Sequence, residues 1–327
     1  MDKTGLSKDI VVERYRKEKK EEWDRFVSNS KNGHFLFYRD YMEYHSDRFV
    51  DYSLMFYEGN SLIGLLPANL EGNTLVSHGG LTFGGLVTNT KMKVSRMLSL
   101  FDAMIAYLKK DHIERIIYKR VPYIYHVIPS DEDLYALFLK GARLIRRDIS
   151  SAVYLPEKPR FQEIRKRSFK KAMAANLEVK ISTDFETYWK ILEENLLERH
   201  GTRPVHSLKE IRYLHNRFFN NIILFASYEN QEMLAGVVIY ESKNVAHAQY
   251  IASNKKGRDL GALDAIFFFL ISDYYKGKKR YFDFGISTER NGLFLNKGLI
   301  FFKEGFGARA VAYDFYEVTD LTQKFLS

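Results

Sequence analysis

The sequence predicts a mixed α/β protein (α+β in its mixture of strand directions) built as a tandem repeat, and three observations carry that prediction. Short alternating apolar runs interleave with segments of helical periodicity. One order of elements is read over residues 10–155 and again over 178–317: strand, two helices, three-strand meander, turn, long helix, strand, helix, strand. At 327 residues the chain is long enough for two domains with proper cores.

In the first copy a strand is expected at Ile10–Tyr15, then helices at Glu18–Ser28 and Tyr38–His45. Strands follow at Tyr52–Tyr57, Ser61–Leu70 and Thr74–Ser77, joined by the turns Glu58-Gly59-Asn60 and Glu71-Gly72-Asn73. Gly and Asn suit such turns because they tolerate positive φ. A helix is expected over Met92–Lys110, a strand at Arg115–Lys119, a helix at Asp131–Lys140 and a strand at Leu144–Leu155.

The second copy opens with a strand at Glu178–Ser182 and helices at Phe185–Arg199 and Ser207–Phe219. Capping boxes are read at Thr183 with Glu186 and at Ser207 with Glu210, where hydroxyl and carboxylate satisfy unpaired backbone donors. The meander is Ile222–Tyr228, Met233–Ser242 and Val245–Ala252. A helix at Asp259–Tyr275, a strand at Arg280–Phe284, a helix around Asn291–Phe302 and a strand at Ala308–Tyr316 complete it. The expected division is therefore 1–157, a basic connecting helix within 158–177, and 178–327.

Composition narrows the chemistry. The 25 Phe, 22 Tyr and 2 Trp give ample apolar area to bury, and six prolines argue against long disorder. The absence of cysteine excludes disulfides, thiolate metal sites and a cysteine nucleophile. No metal is expected. Met1-Asp2-Lys3-Thr4 lacks the apolar core of a signal peptide, and the longest strongly apolar run, Ile266–Ile271, is too short to span a bilayer. A cytoplasmic protein with no transmembrane segment is the expectation.

The net charge of +9 favours anionic partners. Its densest cluster is Lys158, Arg160, Arg165, Lys166, Arg167, Lys170 and Lys171. This stretch reads either as a solvated helix or as a phosphate or RNA contact. Only Phe161 and Phe169 interleave, so no platform for stacking bases is evident.

Four segments can hold chemistry. Asn254-Lys255-Lys256-Gly257-Arg258-Asp259-Leu260-Gly261 follows a strand and opens a helix. A helix start offers free N–H groups and partial positive charge, so Asn254, Lys255, Lys256, Gly257, Arg258 and Gly261 form a candidate pyrophosphate cradle. An ordinary exposed turn is the competing reading. The matching turn in the first copy carries His78, Gly79, Gly80, Gly84 and Gly85 and has no lysine or arginine. It reads as a close-approach surface for a neutral or sugar-like group, with His78, Gly79 and Gly80 as candidate substrate contacts, or as paired bulges.

The third segment is the loop Glu198-Arg199-His200-Gly201-Thr202-Arg203-Pro204-Val205-His206. His206 is the choice for general base, with His200 and Glu198 behind it and Arg203 as an anion contact. His200 also suits a simple helix C-terminal role. The fourth segment, Phe282-Asp283-Phe284-Gly285-Ile286-Ser287, leads to Phe302-Lys303-Glu304-Gly305-Phe306-Gly307. Ligands gather at the C-terminal ends of such strands, so Ser287 and Lys303, with Gln249, are expected to line a cleft.

Asp283-Phe284-Gly285 followed by Phe302-Lys303-Glu304-Gly305-Phe306-Gly307 resembles the C-terminal signature of FemAB-like proteins. The basic run Arg165-Lys166-Arg167-Ser168-Phe169-Lys170-Lys171-Ala172 resembles their interdomain helix. The resemblance spans about residues 10–317, mainly through element order. It implies two tandem GNAT-like domains, each a twisted mixed sheet flanked by helices, and transfer of an acyl group to an amine. The donor implied is acetyl-CoA or another acyl-CoA in one branch and aminoacyl-tRNA in the other. GNAT enzymes hold CoA pyrophosphate at the turn that here is Asn254–Gly261, although the glycine spacing is wider than theirs. The first expectation is an acyl-CoA-dependent N-acyltransferase acting on an amino sugar or amino-acid-like amine. A nucleotide-linked sugar in surface polysaccharide synthesis is one form of that acceptor. Aminoacyl transfer from tRNA is the alternative, and a non-catalytic glycan or nucleotide binder the third.

Overall fold

The computed structural model describes residues 9–319 and Leu321, with backbone only for Arg199 and His200. In chain order the first part holds β1 (Ile10–Arg14), α1 (Lys20–Asn29), α2 (Arg39–Met42), β2 (Val50–Asp51), β3 (Leu54–Glu58), β4 (Ser61–Leu66), β5 (Asn69–Glu71), β6 (Thr74–Val76), β7 (Val87–Thr88), α3 (Val94–Lys110), β8 (Arg115–Lys119), α4 (Glu132–Leu139) and β9 (Arg143–Tyr154). Then come α5 (Glu163–Ala174), β10 (Glu178–Ser182), α6 (Phe185–His200), α7 (Leu208–Arg217), β11 (Ile222–Glu229), β12 (Glu232–Glu241) and β13 (Val245–Ser253). The chain closes with α8 (Lys255–Leu260), α9 (Ala262–Phe269), β14 (Tyr281–Ile286), β15 (Thr288–Glu289), β16 (Phe294–Leu295), α10 (Lys297–Glu304) and β17 (Arg309–Val318).

The chain divides into two compact units, one of residues 1–147 with 313–327 and one of 148–312. They do not coincide with the 1–157 and 178–327 read from the repeat. Strand β9 runs on from the first unit and pairs with β14 in the second, Phe282 opposite Val153 and Asp283 opposite Ala152. Strand β17 likewise ends in the first unit, pairing Phe315 with Lys119 and Tyr316 with Tyr118 of β8. Each copy thus gives its last strand to the other unit. A 12-residue strand such as β9 extends about 40 Å, and periodicity does not say which sheet receives it.

In the first unit β1, β3, β4 and β7 form one antiparallel sheet. Strands β2, β5 and β6 pair antiparallel, and β6 lies parallel to β8 across the α3 crossover. The expected single strand 61–70 is two strands in different sheets. Pro67 lies between them, and with no N–H to give to a ladder it breaks the run. Helix α3 covers the core with Met97, Leu100, Phe101, Met104, Ile105 and Leu108, all on one helical face.

In the second unit β10, β11, β12 and β13 form an antiparallel run. Strand β14 joins it parallel to β13, after the crossover through α8 and α9. The core is dense in aromatics: Phe225, Phe267, Tyr275, Phe282, Phe284 and Phe306 are all buried in it. The basic helix α5 packs on α9, where Arg165 and Ser168 both reach Asp264, at 3.1 and 2.9 Å, and Phe169 stacks flat on Phe268.

Two local expectations are corrected. Helix α6 is capped by Asp184, whose carboxylate accepts the Thr187 N–H at 3.0 Å, and not by a Thr183 box. The Ser207–Glu210 box is present. The helix expected over 259–275 begins earlier, is interrupted at Gly261, and ends in a π-helical turn at Leu270–Tyr274.

Candidate active site

Strands β13 and β14 stay in register for three pairs only, ending at His247 opposite Asp283. Beyond that point the nine-residue β13 continues without β14 as its partner. Strand β13 also carries a bulge: Ile239 faces Ala248 and Val238 faces Tyr250, which leaves Gln249 as the extra residue. Bulges re-aim side chains, and they cluster beside active sites. Gln249, expected to line a cleft, therefore lies just past the point where the two strands part.

The polar groups of the second unit converge at this parting. Asp283 is fully buried between Phe282 and Phe284. It accepts from the Ser150 hydroxyl at 2.5 Å and lies 2.8 Å from His247 Nδ1. A buried carboxylate is tolerated only when hydrogen-bonded or paired, and it orients the imidazole by accepting its Nδ1–H, leaving Nε2 as the basic nitrogen. His247 keeps some solvent contact, with 12% of its side chain exposed.

Gly285 sits between this pair and a lysine. Its φ of +77° belongs to the bulge of β14 against β9. A side chain there would stand 3.3 Å from the His247 ring. Lys303 of α10, 2% exposed, donates to the Gly285 and Ile286 carbonyls at 2.8 and 2.7 Å. Burial pushes its ammonium down to about 8, against a smaller upward pull from Asp283. An ammonium has three N–H donors, so two carbonyls leave one uncommitted. Ser287 is buried beside this corner, its N–H given to Ile149 and its hydroxyl without a hydrogen-bond partner among the described residues.

His247 and Ser150 are absent from the sequence-derived candidates, and Asp283 lies inside the fourth segment without a role assigned to it. Two signals were available. His247 interrupts the strand between Ala246 and Ala248, and Asp283 stands between two phenylalanines. What joins them is a parallel register between residues 36 apart in sequence, which no local spacing encodes.

The other predicted residues have different surroundings. His206 is 5% exposed, and its Nδ1 and backbone N–H both meet the Tyr250 hydroxyl, while its carbonyl takes the Trp189 indole N–H. These contacts anchor the loop. Glu198 and Arg203 are exposed, and the side chain of His200 lies outside the described residues.

The presumed phosphate cradle is satisfied from within. Asn254 caps α8 by accepting the Gly257 N–H at 2.7 Å. Lys256 pairs with Glu229 and Glu232 at 2.5 and 2.7 Å, which pushes it up to about 12, and Arg258 donates to the Ser253 carbonyl. Gly257 lets the helix approach β12, since a Cβ there would lie 2.5 Å from the Leu234 carbonyl. Gly261, at φ +78°, ends α8 where Ser168 of α5 passes, 2.5 Å from where a Cβ would be. Only Lys255 projects into solvent without a partner among the described residues.

In the first unit His78 is buried against His45 and Phe49, and burial lowers its ring to about 3, so it is neutral. Gly79 donates to Asn69, and a Cβ on Gly80 would strike the His45 ring. These glycines serve close packing. His78 also borders a cavity of about 380 Å³ with Arg14, Arg16, Lys17 and Asp51. Lys119, likewise buried and lowered to about 7, donates to the His78 and Leu81 carbonyls.

No protein-family model and no curated protein sequence matches the chain. Among solved structures it is similar to FemX, with TM-score 0.67 and 12% identity over 94% of this chain and 97% of that one. It is similar to the C-terminal domain of a putative lysylphosphatidylglycerol synthetase from Agrobacterium fabrum, with TM-score 0.60, 12% identity, and 93% and 92% covered. A third likeness is to L-PGS from Bacillus licheniformis, with TM-score 0.61, 13% identity and 92% of each chain covered. At such identities the likeness is one of fold. It is the tandem GNAT-like fold implied by the resemblance to FemAB-like proteins. Among the described residues no helix is long and apolar enough to cross a membrane.

Proposed function

We propose that the chain is a transferase that moves an aminoacyl group from aminoacyl-tRNA to an amine, with its chemistry at the parting of β13 and β14. His247 Nε2 takes a proton from the acceptor ammonium while Asp283 holds Nδ1–H. The amine attacks the ester carbonyl. The C–N bond forms, the C–O bond to the terminal ribose breaks, the imidazolium gives its proton to the leaving ribose oxygen, and the freed imidazole takes the second proton from the new amide nitrogen and passes it to solvent. Lys303, protonated below about 8, places positive charge beside the developing oxyanion.

The observation that carries the choice of donor is the self-capped start of α8. A CoA pyrophosphate needs open N–H groups and uncommitted cations there, and Asn254, Lys256 and Arg258 already have protein partners. The name of one similar protein, a lysylphosphatidylglycerol synthetase, speaks of an aminoacyl product and fits this reading. For the acceptor, an amine of an amino sugar or an amino-acid-like precursor is kept from the resemblance to FemAB-like proteins.

Acyl transfer from acetyl-CoA is the second reading, favoured by Lys255 standing free beside the α8 start. A melting-temperature comparison separates the two. Charged tRNA is expected to raise Tm and acetyl-CoA to leave it unchanged. A saturable rise with acetyl-CoA alone overturns the aminoacyl reading.

A further inference from the structure

We propose that a basic groove in the second unit, on the segment 155–166, holds the phosphodiester backbone of an RNA. It rests on the aminoacyl-tRNA reading and says where that donor is gripped. The groove encloses about 1130 Å³ and is lined by Lys158, Arg160, Lys166 and Lys276, with Glu157 the one acid of the lining.

These cations differ from three others on the unit. Lys180, Lys190 and Lys256 each sit on a carboxylate of Glu178, Glu186 or Glu229. Among the described residues no ion pair or side-chain hydrogen bond engages Lys158, Arg160 or Lys276, all exposed, and Lys166 meets only Glu163. Asp273 and Glu163 flank the groove without entering its lining. Like charges gathered without counterions raise the local potential and favour an anionic partner.

The groove is also built. Pro156 and Pro159 fix the backbone of its wall. Phe161 anchors that wall on Phe268 and Phe306, with ring centroids 4.2 and 6.1 Å away. The π-helical turn Leu270–Tyr274 supplies Ile271 and Ser272 to the lining.

Shape and chemistry select the partner. The groove exceeds a typical small-molecule pocket. Its one aromatic, Phe161, is partly buried and packed on Phe268, so the lining offers no run of aromatics for stacking successive bases. Charge without base readout is the recipe for holding a nucleic-acid backbone irrespective of sequence. The large apolar lining residues Leu155 and Ile271 are buried, which leaves no wedge for insertion into a lipid surface.

The test measures binding of a fluorescein-labelled RNA hairpin ending in CCA to the full chain across a salt series. The groove variant is Lys158→Glu with Arg160→Glu and Lys276→Glu; a milder set uses Gln at the same positions. A control variant reverses Lys180, Lys190 and Lys209, all outside the groove. The groove variant is expected to lose affinity by 10-fold or more and to flatten the log–log salt slope by about 3, since each phosphate contact contributes about 0.9. The control is expected to change both much less. Equal losses in groove and control variants show a net-charge effect and overturn the groove. Wild-type binding that survives the groove substitutions overturns it too, and leaves the aminoacyl-tRNA donor standing. Absence of RNA binding by the wild type removes both. Loss of binding to phosphatidylglycerol vesicles with RNA binding intact assigns the groove to a lipid surface instead.

Discussion

His247 carries the proposed mechanism, because its Nδ1 is fixed by the buried carboxylate of Asp283. His247→Ala is expected to lower kcat/KM by about 10²–10⁴-fold with little change in Tm, measured by transfer kinetics and melting on the same preparation. Asp283→Asn should lower kcat/KM as well, and should also destabilise, since it disturbs the fully buried contacts of Ser150 and Gly285. Lys303 adds a pH signature. Its ammonium titrates at about 8 in the folded chain, against 10.5 ordinarily. The folded state therefore binds fewer protons between those values, and stability rises with pH through that window. Below about 8 the full penalty, on the order of 3 kcal/mol, is present. Denaturation at pH 7 and pH 9.5 is expected to show this gain in the wild type and a smaller one in Lys303→Met. Activity has the opposite dependence, falling above about 8 as the charge beside the oxyanion is lost, and a kcat/KM profile flat to pH 10 would contradict the role given to Lys303.

At the scale of elements, α8 decides between donors. Lys256→Ala with Arg258→Ala is expected to leave RNA binding and transfer close to wild type, because both side chains serve the fold. Gly257→Ala tests the packing explanation of the same turn. Its Cβ meets the Leu234 carbonyl and the Ser253 hydroxyl at 2.5 Å, and overpacking of this kind costs about 1–3 kcal/mol, read as a lowered Tm. The sequence made much of this level legible. The β11–β12–β13 meander, the Ser207–Glu210 box and the long α3 follow from local alternation, capping chemistry and one apolar face. The turn at 254–261 reads two ways in the sequence because its local chemistry fits a phosphate as well as it fits a helix start. The positions of Leu234, Glu229 and Ser168 add what the sequence does not carry: protein atoms close against Gly257, Lys256 and Gly261. Strand-end logic puts Lys303 and Ser287 beside β14, and the structure has both there. That Lys303 bonds the Gly285 and Ile286 carbonyls depends on how α10 returns over β14.

At the scale of the molecule, the repeat is present, but its units are completed by exchange: residues 148–154 of β9 close the second unit and 313–318 of β17 close the first. Each strand matched its own copy by pattern, and long-range pairing assigned it elsewhere. The exchange predicts that the halves do not fold separately. A fragment ending at residue 157 lacks the β17 partner of β8, and is expected to show no cooperative unfolding by circular dichroism. A fragment of 178–327 lacks the β9 partner of β14 and should behave alike. The two copies also differ in chemistry: the parallel pair β13–β14 holds His247 against Asp283, whereas in β6–β8 the aligned residues are Thr74 to Val76 and Arg115 to Ile117. Among the described residues, the aligned pairs of β6 and β8 hold no such imidazole–carboxylate pair.

The central claim is an aminoacyl ester donor acted on at His247. The most direct measurement follows a labelled amino acid from charged tRNA into acid-soluble amide, using a pool of amino-sugar nucleotides and amino-acid amines as acceptors, with wild type and His247→Ala side by side and acetyl-CoA in a parallel reaction. Amide formation from charged tRNA that falls by about 10²–10⁴ in the variant, with acetyl-CoA left intact, is the predicted result. Consumption of acetyl-CoA with charged tRNA untouched, or a His247→Ala protein as active as wild type, would contradict it.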